Sequence, residues 1–149
     1  MSLRLPRIAE QLFKEVRLCK LHHEMLTDEL MSALYFVFHE PVLHGLDLVD
    51  RRSITKLVSP SGRTIYQVIM RCLTVVSILK VIGSAGQMYT CLLSSDYCTC
   101  PSYTYTVLVK MDSILCKHLL AAHLAEALGN IKEKRVLDHE VMTFTTQDF

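Results

Sequence analysis

Two short segments, Cys98-Thr99-Cys100 and Cys116-Lys117-His118, decide how this chain folds. In each segment one residue separates two potential metal ligands, and fifteen residues lie between the segments. Thiolate sulfur and imidazole nitrogen are donors that zinc prefers, and a closed set of four is typical of a structural site. We therefore predict that one structural zinc ion joins the two segments. Its predicted ligands are Cys98, Cys100, Cys116 and His118.

The composition indicates a single domain whose surface is unusually apolar. The chain has 149 residues, enough to bury a core, and its formal net charge is only +1. That charge gives no overall electrostatic attraction for nucleic acid, although a local basic patch remains possible. Hydrophobic residues make up 50% of the chain and the mean hydropathy is positive. We expect a partner protein to cover part of this apolar surface.

The cysteine usage and the N-terminal sequence predict a soluble protein of a reducing, intracellular compartment. The chain contains six cysteines. Its first residues lack the apolar core of a signal peptide, and no apolar run reaches the roughly 20 residues that span a membrane. Clustered thiols in a reducing compartment bind metals more often than they form disulfides. No membrane association is expected.

The N-terminal third has the periodicity of two amphipathic helices. Apolar residues from Ile8 to Cys19 recur every three or four positions, which predicts a helix over 8–23. A second helix is predicted to begin at Thr27, whose hydroxyl can cap it, and to stop before Pro41. Core packing is the simpler interpretation of both apolar faces, and docking of a partner helix is the alternative.

The middle of the chain alternates like β-structure. Residues 45–52 form a connector of uncertain conformation, after which strands are predicted over 53–58 and 63–68. The Pro/Gly-containing segment 59–62 between them predicts a hairpin turn. A further strand over 88–93 leads towards Cys98.

Residues 69–82 are strongly apolar but too short to cross a membrane. The dipeptide Val68-Ile69 recurs as Val81-Ile82, and removal of one copy with the residues between leaves a simpler hairpin. We interpret 69–81 as an in-frame insertion, from alternative splicing or an incorrectly assigned exon. If the segment is native, it forms an extended strand or an added partner surface.

A final helix is predicted over 113–128. Asp112 or Ser113 can cap its start, and Gly129 can end it in a left-handed conformation. Cys116 and His118 then fall near the first turn. Residues two positions apart do not share a helix face. Both can therefore bind one metal ion only if Cys116 lies in a distorted first turn or before it, with the His118 side chain pointing back. The tail 129–149 is predicted to be mobile or weakly helical.

Other cysteine and histidine residues match no second site. The strand context of Cys91 indicates a buried thiol, and the position of His123 indicates a half-buried histidine rather than a ligand. A His-Glu-x-x-His metalloprotease motif is missing because Leu26 stands where the second histidine would be. The cysteine spacing also differs from that of zinc deaminases. Four protein ligands leave zinc no position for a catalytic water, so we predict no enzyme activity.

The pattern Cys-x-Cys followed by Cys-x-His resembles the SWIM zinc finger. Residues 116–121, Cys-Lys-His-Leu-Leu-Ala, fit the longer Cys-x-His-x-x-Ala form of the motif. Together with the flanking segments, this form is similar to the SWIM subunit of the Shu recombination complex. The supporting flanks are Leu46–Arg51, Ser53–Thr55, Ser59–Arg63 and Asp112–Leu120.

The resemblance implies a nuclear, non-enzymatic adaptor in homologous recombination DNA repair, including meiosis. Such a subunit forms a heterodimer with a RecA-like recombinase paralogue and promotes recombinase filaments on single-stranded DNA, which it reaches through the complex. By position, the four predicted ligands inherit the zinc role. Ala121 corresponds to the alanine of the Cys-x-His-x-x-Ala motif, where a small side chain suits close packing of the helix on the finger or on a partner. Family members usually lack the insert at 69–81.

The predicted elements together make up an α+β fold with N-terminal helices, a small antiparallel hairpin or sheet, and a C-terminal zinc finger closing on a helix. The expected organisation is a helical region (1–45), a β-rich region with the insert (46–97), the SWIM finger (98–128) and a tail (129–149). An alternative function is a stand-alone zinc module that binds single-stranded DNA directly. Its candidate contacts are Tyr103, Tyr105, Lys110 and Lys117, with the more distal Lys132, Lys134 and Arg135.

Overall fold

The computed structural model describes residues 5–70 and 87–146, which form an α+β fold of six helices and one five-stranded sheet. The helices are α1 (Arg7–Leu21), α2 (Asp28–Phe38), α3 (Pro41–Asp50), a π-helix (Tyr103–Val109), α4 (Lys117–Leu128) and α5 (Asp138–Thr146). The strands are β1 (Ile54–Val58), β2 (Thr64–Met70), β3 (Gln87–Leu92), β4 (Tyr97–Cys98) and β5 (Lys132–Arg135).

The sheet is built around the predicted hairpin. Its strand order is β4-β3-β2-β1-β5, and neighbours are antiparallel except β1 and β5, which run parallel. In the hairpin, Ile54 pairs with Val68 and Val58 pairs with Thr64. The hairpin and the strand leading to Cys98 are confirmed. The register places Cys91 of β3 directly opposite Cys98 of β4.

The two N-terminal helices are confirmed, and most of their predicted apolar faces are buried in the core of this chain, although Ile8 is 55% exposed. In α1 the buried residues recur at helical spacing, and the helix packs against α2 and α4. The hydroxyl of Thr27 accepts a hydrogen bond of 3.2 Å from the Leu30 amide, which is the predicted cap. The helix α2 ends at Phe38, and Pro41 then opens α3 in the first-turn position that proline favours.

The prediction of a connector of uncertain form at 45–52 is wrong for most of that segment, which belongs to α3. Its buried residues, Val42, Gly45, Leu48 and Val49, line one face of the helix. Gly45 lies where α3 crosses α4, and a Cβ at this position would be 3.3 Å from the Ala121 amide nitrogen. The glycine weakens the local helix signal but permits the two backbones to approach closely.

The predicted start of the last long helix is also wrong. The helix α4 begins at Lys117 rather than near Ser113, and its N-cap is Cys116, whose backbone is extended (φ −77°, ψ 166°). The Cys116 sulfur accepts a hydrogen bond of 3.5 Å from the Leu119 amide. The helix ends as predicted, because Gly129 is left-handed with φ of 66°.

The described residues of the tail, up to Thr146, form a strand and a helix, whereas a mobile or weakly helical end was predicted. Residues Lys132–Arg135 form β5 beside β1, and α5 follows. A second apolar cluster forms on the face of the sheet opposite α4. Its buried members are Leu57, Ile65, Val136 and Val141. The polar sequence of β5 hides this strand from sequence analysis, because the strand is held through its backbone.

Ile69 and Met70 complete β2, whereas the rest of the proposed insert at 69–81 lies outside the described residues. The insertion hypothesis therefore stays a prediction. Among residues 5–70 and 87–146, no helix has the length and apolar character required to cross a bilayer.

Candidate metal centre

The four predicted zinc ligands come from three structural elements and meet at one point. Cys98 ends β4, Cys100 follows it, Cys116 caps α4, and His118 lies in the first turn of that helix. Their ligand atoms all lie within 4.8 Å of one another, and each residue is at most 2% exposed. The excursion between the two pairs, which includes the π-helix, returns the chain so that the pairs face each other.

The spacing of the donor atoms fits a tetrahedral zinc ion. Zinc binds sulfur at about 2.3 Å and nitrogen at about 2.0–2.1 Å, so tetrahedral geometry separates neighbouring donors by about 3.6–3.8 Å. The distance from the Cys98 sulfur to His118 Nδ1 is 3.8 Å. Three cysteines and one histidine, all buried, therefore form a closed site for one structural zinc.

Backbone amides support two of the three sulfur ligands. The Tyr103 amide donates a hydrogen bond of 3.2 Å to the Cys100 sulfur, and the Leu119 amide donates one to the Cys116 sulfur. Such donors stabilise the thiolate form that binds zinc. The Cys98 sulfur has a different neighbour, because the Cys91 sulfur lies 3.6 Å away from it.

Hydrogen bonds among the three thiols shift the pKa values of their sulfurs in different directions. Hydrogen bonds from the Cys116 and Cys98 thiols lower the pKa of Cys100 far below its ordinary value. The hydrogen bond to Cys100 is in turn the largest cause that raises the pKa of Cys98 and that of Cys116. Since zinc requires all three as thiolates, its binding releases protons from the cluster.

The imidazole of His118 is oriented by packing. Its ring lies against the ring of Tyr89 from β3, with centroids 4.5 Å apart and an angle of 33° between the planes. His118 Nε2 is buried and has no hydrogen-bond partner among the described residues. The contact with Tyr89 therefore holds Nδ1 towards the sulfurs.

Two residues near the cluster behave as predicted. Cys91 is completely buried, and His123 is partly buried outside the ligand set. His123 Nε2 lies 3.0 Å from Asp96 Oδ1, and the His123 ring stacks on Phe13. The contact between Cys91 and Cys98 was not predicted. The short polar segment 94–96 is the signal that could have revealed it, since a hairpin turn there aligns the two cysteines.

The candidate nucleic-acid contacts differ in accessibility. Tyr103 is buried and meets Tyr97 edge to face, so its ring is not available for base stacking. Tyr105 is half exposed, and the ammonium of Lys110 lies 4.9 Å from its ring centre. Lys117 is partly buried in the first turn of α4. Tyr105 and Lys110 are therefore the accessible pair near the finger, and the more distal Lys132, Lys134 and Arg135 are exposed on β5.

Ala121 has no exposed surface and packs inside the chain. It lies on α4 where Gly45 of α3 approaches, and it shares the main core with the N-terminal helices. Its small side chain therefore serves the contact between two helices of this chain, on the helix that carries two zinc ligands.

Comparison with known proteins agrees with this geometry. The SWIM zinc finger family model matches residues 89–126, a range that contains all four ligands. Zinc finger SWIM domain-containing protein 7 of Mus musculus is 40% identical over 148 residues, covering 99% of this chain and 89% of the relative. The protein of the same name from Homo sapiens is 39% identical over 141 residues, covering 95% and 91%.

A more distant relative extends the comparison. The zinc finger SWIM domain-containing protein 7 homolog of Dictyostelium discoideum is 34% identical over 131 residues, covering 81% of this chain and 76% of the relative. No solved structure matches the chain.

Proposed function

Because this chain belongs to the zinc finger SWIM domain-containing protein 7 family, we propose that it is a nuclear, non-enzymatic adaptor in homologous recombination. In this role it pairs with a RecA-like recombinase paralogue and promotes assembly or stability of recombinase filaments on single-stranded DNA. Zinc shapes the adaptor and takes no part in chemistry. The likeness of the extended motif and its flanks to the SWIM subunit of the Shu complex supports the recombination role.

The observation that carries this proposal is the closed, buried ligand set. Four protein donors complete the usual coordination of a structural zinc, whereas catalytic sites keep one position for water or substrate. The ligands are almost inaccessible to solvent. Binding at such a site contributes to folding and shapes a surface without offering a reaction centre.

A surface suited to a protein partner lies between the two ligand pairs. We define it as the finger loop, residues 103–111, which consists of the π-helix and the two residues after it. Its exposed side chains are mainly apolar, with Val109 at 67% and Met111 at 80% exposure. Zinc fixes the chain shortly before and shortly after this loop. Removal of zinc therefore releases the loop, which links metal content to partner binding.

Co-purification of partners from cells tests the adaptor role. We expect the tagged chain to recover a RecA-like paralogue, and the double variant Val109→Asp/Met111→Asp to lose it while retaining its zinc. Met25→Asp is the matched control, because Met25 is 89% exposed but lies between α1 and α2. Recovery of no RecA-like protein by the zinc-loaded chain would contradict the proposal. Equal recovery by the double variant would instead exclude the finger loop as the docking surface.

The half-exposed Tyr105 beside Lys110 favours a second candidate, direct binding of single-stranded DNA. Aromatic rings stack on bases, and nearby cations contact phosphates. Titration of the purified chain with single-stranded DNA at moderate salt separates the two candidates. Tight, salt-sensitive binding without a partner would support the direct role, and it should be lost in Tyr105→Ala. The adaptor role predicts binding only in the presence of the recombinase paralogue.

A further inference from the structure

We propose that Cys91 and the zinc ligand Cys98 form an oxidation site. In this site a hydroperoxide converts the two thiols into a cross-strand disulfide, and zinc is released. The inference rests on the structural zinc site and is independent of the adaptor role.

The backbone places the two cysteines in the geometry of a disulfide. They are directly opposite on the antiparallel strands β3 and β4, and their sulfurs are 3.6 Å apart. The Thr99 amide donates to the Thr90 carbonyl, so the neighbouring pair is the hydrogen-bonded one. Cys91 and Cys98 therefore form a non-hydrogen-bonded pair, in which Cα atoms are about 4.5 Å apart. That separation lies within the range that disulfides accept.

The surroundings make Cys98 the most reactive of the three sulfur ligands. Cys100 and Cys116 each accept a hydrogen bond from a backbone amide, which stabilises the thiolate and lowers its nucleophilicity. The Cys98 sulfur instead contacts the Cys91 thiol, which is a weaker hydrogen-bond donor than an amide. Among the described residues, Cys91 is also the thiol that contacts the cluster without belonging to the ligand set.

Access to the buried pair comes from local opening of the sheet. The strand β4 has two residues and lies at one edge of the sheet, where few backbone hydrogen bonds hold it. Short edge segments open at a lower free energy than the whole domain unfolds. Opening of β4 exposes the Cys98 sulfur together with its neighbour Cys91.

The reaction has two steps that balance. The Cys98 thiolate attacks one oxygen of hydrogen peroxide, the O–O bond breaks, and a sulfenic acid and hydroxide result. The Cys91 sulfur then attacks the Cys98 sulfur, the S–O bond breaks, and the departing hydroxide takes the Cys91 proton to give water. The two sulfurs lose two electrons, the peroxide gains them, and zinc loses one of its four ligands.

The test treats the zinc-loaded full chain with hydrogen peroxide and follows released zinc with a chromogenic chelator. Disulfides are mapped by mass spectrometry after free thiols are blocked. Cys91→Ser and Cys91→Ala remove the second thiol, and Cys19→Ser is the matched control. In the wild type and the control we expect a Cys91–Cys98 disulfide to form in step with zinc release. A thiol reductant with added zinc should then restore full metal content.

In the Cys91 variants we expect oxidation of Cys98 to continue to sulfinic acid, so that reductant and zinc do not restore the site. Recovery of a Cys91 variant as complete as that of the wild type would overturn the proposal. If neither Cys91 variant holds zinc before treatment, the map of the wild type decides. Zinc release without a Cys91–Cys98 disulfide would then refute the oxidation site.

Discussion

The crossing of α3 and α4 at Gly45 gives the sharpest prediction about stability. A Cβ at this position would lie 3.3 Å from the Ala121 amide nitrogen, 3.3 Å from Leu120 Cβ and 3.4 Å from the Lys117 carbonyl oxygen. Two of these neighbours are backbone atoms of α4 and cannot rotate away. We predict that Gly45→Ala destabilises the chain, although alanine is the better helix former.

The expected loss follows from two opposing effects. Replacing glycine by alanine within a helix favours folding by about 0.5–1 kcal/mol. Inserting a methyl group into a closely packed contact costs about 1–3 kcal/mol. Because the contact is with backbone, the upper part of that range, about 2–3 kcal/mol, applies, and the net loss in the free energy of unfolding is about 1–2.5 kcal/mol. Gly45→Val should lower the free energy of unfolding further. It should also lower zinc content, since Lys117, which Gly45 approaches, adjoins the ligand Cys116.

Urea unfolding followed by circular dichroism measures this loss, with the free zinc concentration held fixed because zinc binding adds to apparent stability. Ser32 on α2 is exposed, and the pair Ser32→Gly and Ser32→Ala measures the helix preference alone. We expect alanine to be the more stable member at position 32 and glycine to be the more stable at position 45. If Gly45→Ala raised the free energy of unfolding by as much as Ser32→Ala exceeds Ser32→Gly, the argument from close packing would be refuted.

Three further perturbations test the site and its support. His118→Ala or Cys116→Ser should abolish zinc binding, measured by metal analysis, and partner recovery with it; the helical signal in circular dichroism should also fall. Binding of a structural zinc contributes about 10–16 kcal/mol to folding, and a whole domain is stable by only about 5–15 kcal/mol. A zinc-free variant with a native circular dichroism spectrum would therefore contradict a structural role. Ala121→Thr overpacks the contact with α3 and should lower zinc content and partner recovery in parallel. Loss of partner recovery with unchanged zinc content would instead argue that Ala121 contacts the partner directly. Burial and, secondly, the nearby Glu126 carboxylate raise the pKa of Tyr66. Glu126→Gln should therefore lower that pKa but leave it above the ordinary value of tyrosine, as measured by nuclear magnetic resonance of the Tyr66 ring. An unchanged pKa would exclude the electrostatic contribution of Glu126.

The features that were predictable from sequence are those with a local physical signature. The helix α1 has a regular apolar period, α2 has a capping threonine, and the hairpin has a Pro/Gly turn between alternating strands. The ligand set was predictable for the same reason, since two pairs of donors, each separated by one residue, suit a tetrahedral metal. In each case a few neighbouring residues contain the information.

The features that were missed depend on contacts between distant parts of the chain. The helix α3 contains Gly45, which has a low helix propensity but permits the close approach of α4. The strand β5 has the sequence Lys-Glu-Lys-Arg, and its parallel pairing with β1 has no counterpart in its side-chain pattern. The start of α4 was misplaced because Asp112 and Ser113 are ordinary capping residues, whereas the observed cap is a metal ligand, Cys116.

The position of α4 explains why one metal ion matters to the whole chain. This helix packs against α1, α3 and four strands of the sheet, so it joins the N-terminal helices to the β-structure. Its N-terminal end carries two zinc ligands, the capping Cys116 and His118 in the first turn, and the other two lie at the end of β4 and two residues after it. Zinc therefore fixes the central helix to the sheet at the same point from which the finger loop departs. Loss of the metal, by chelation, mutation or oxidation of Cys98, should thus disturb the core and the exposed loop together rather than the finger alone.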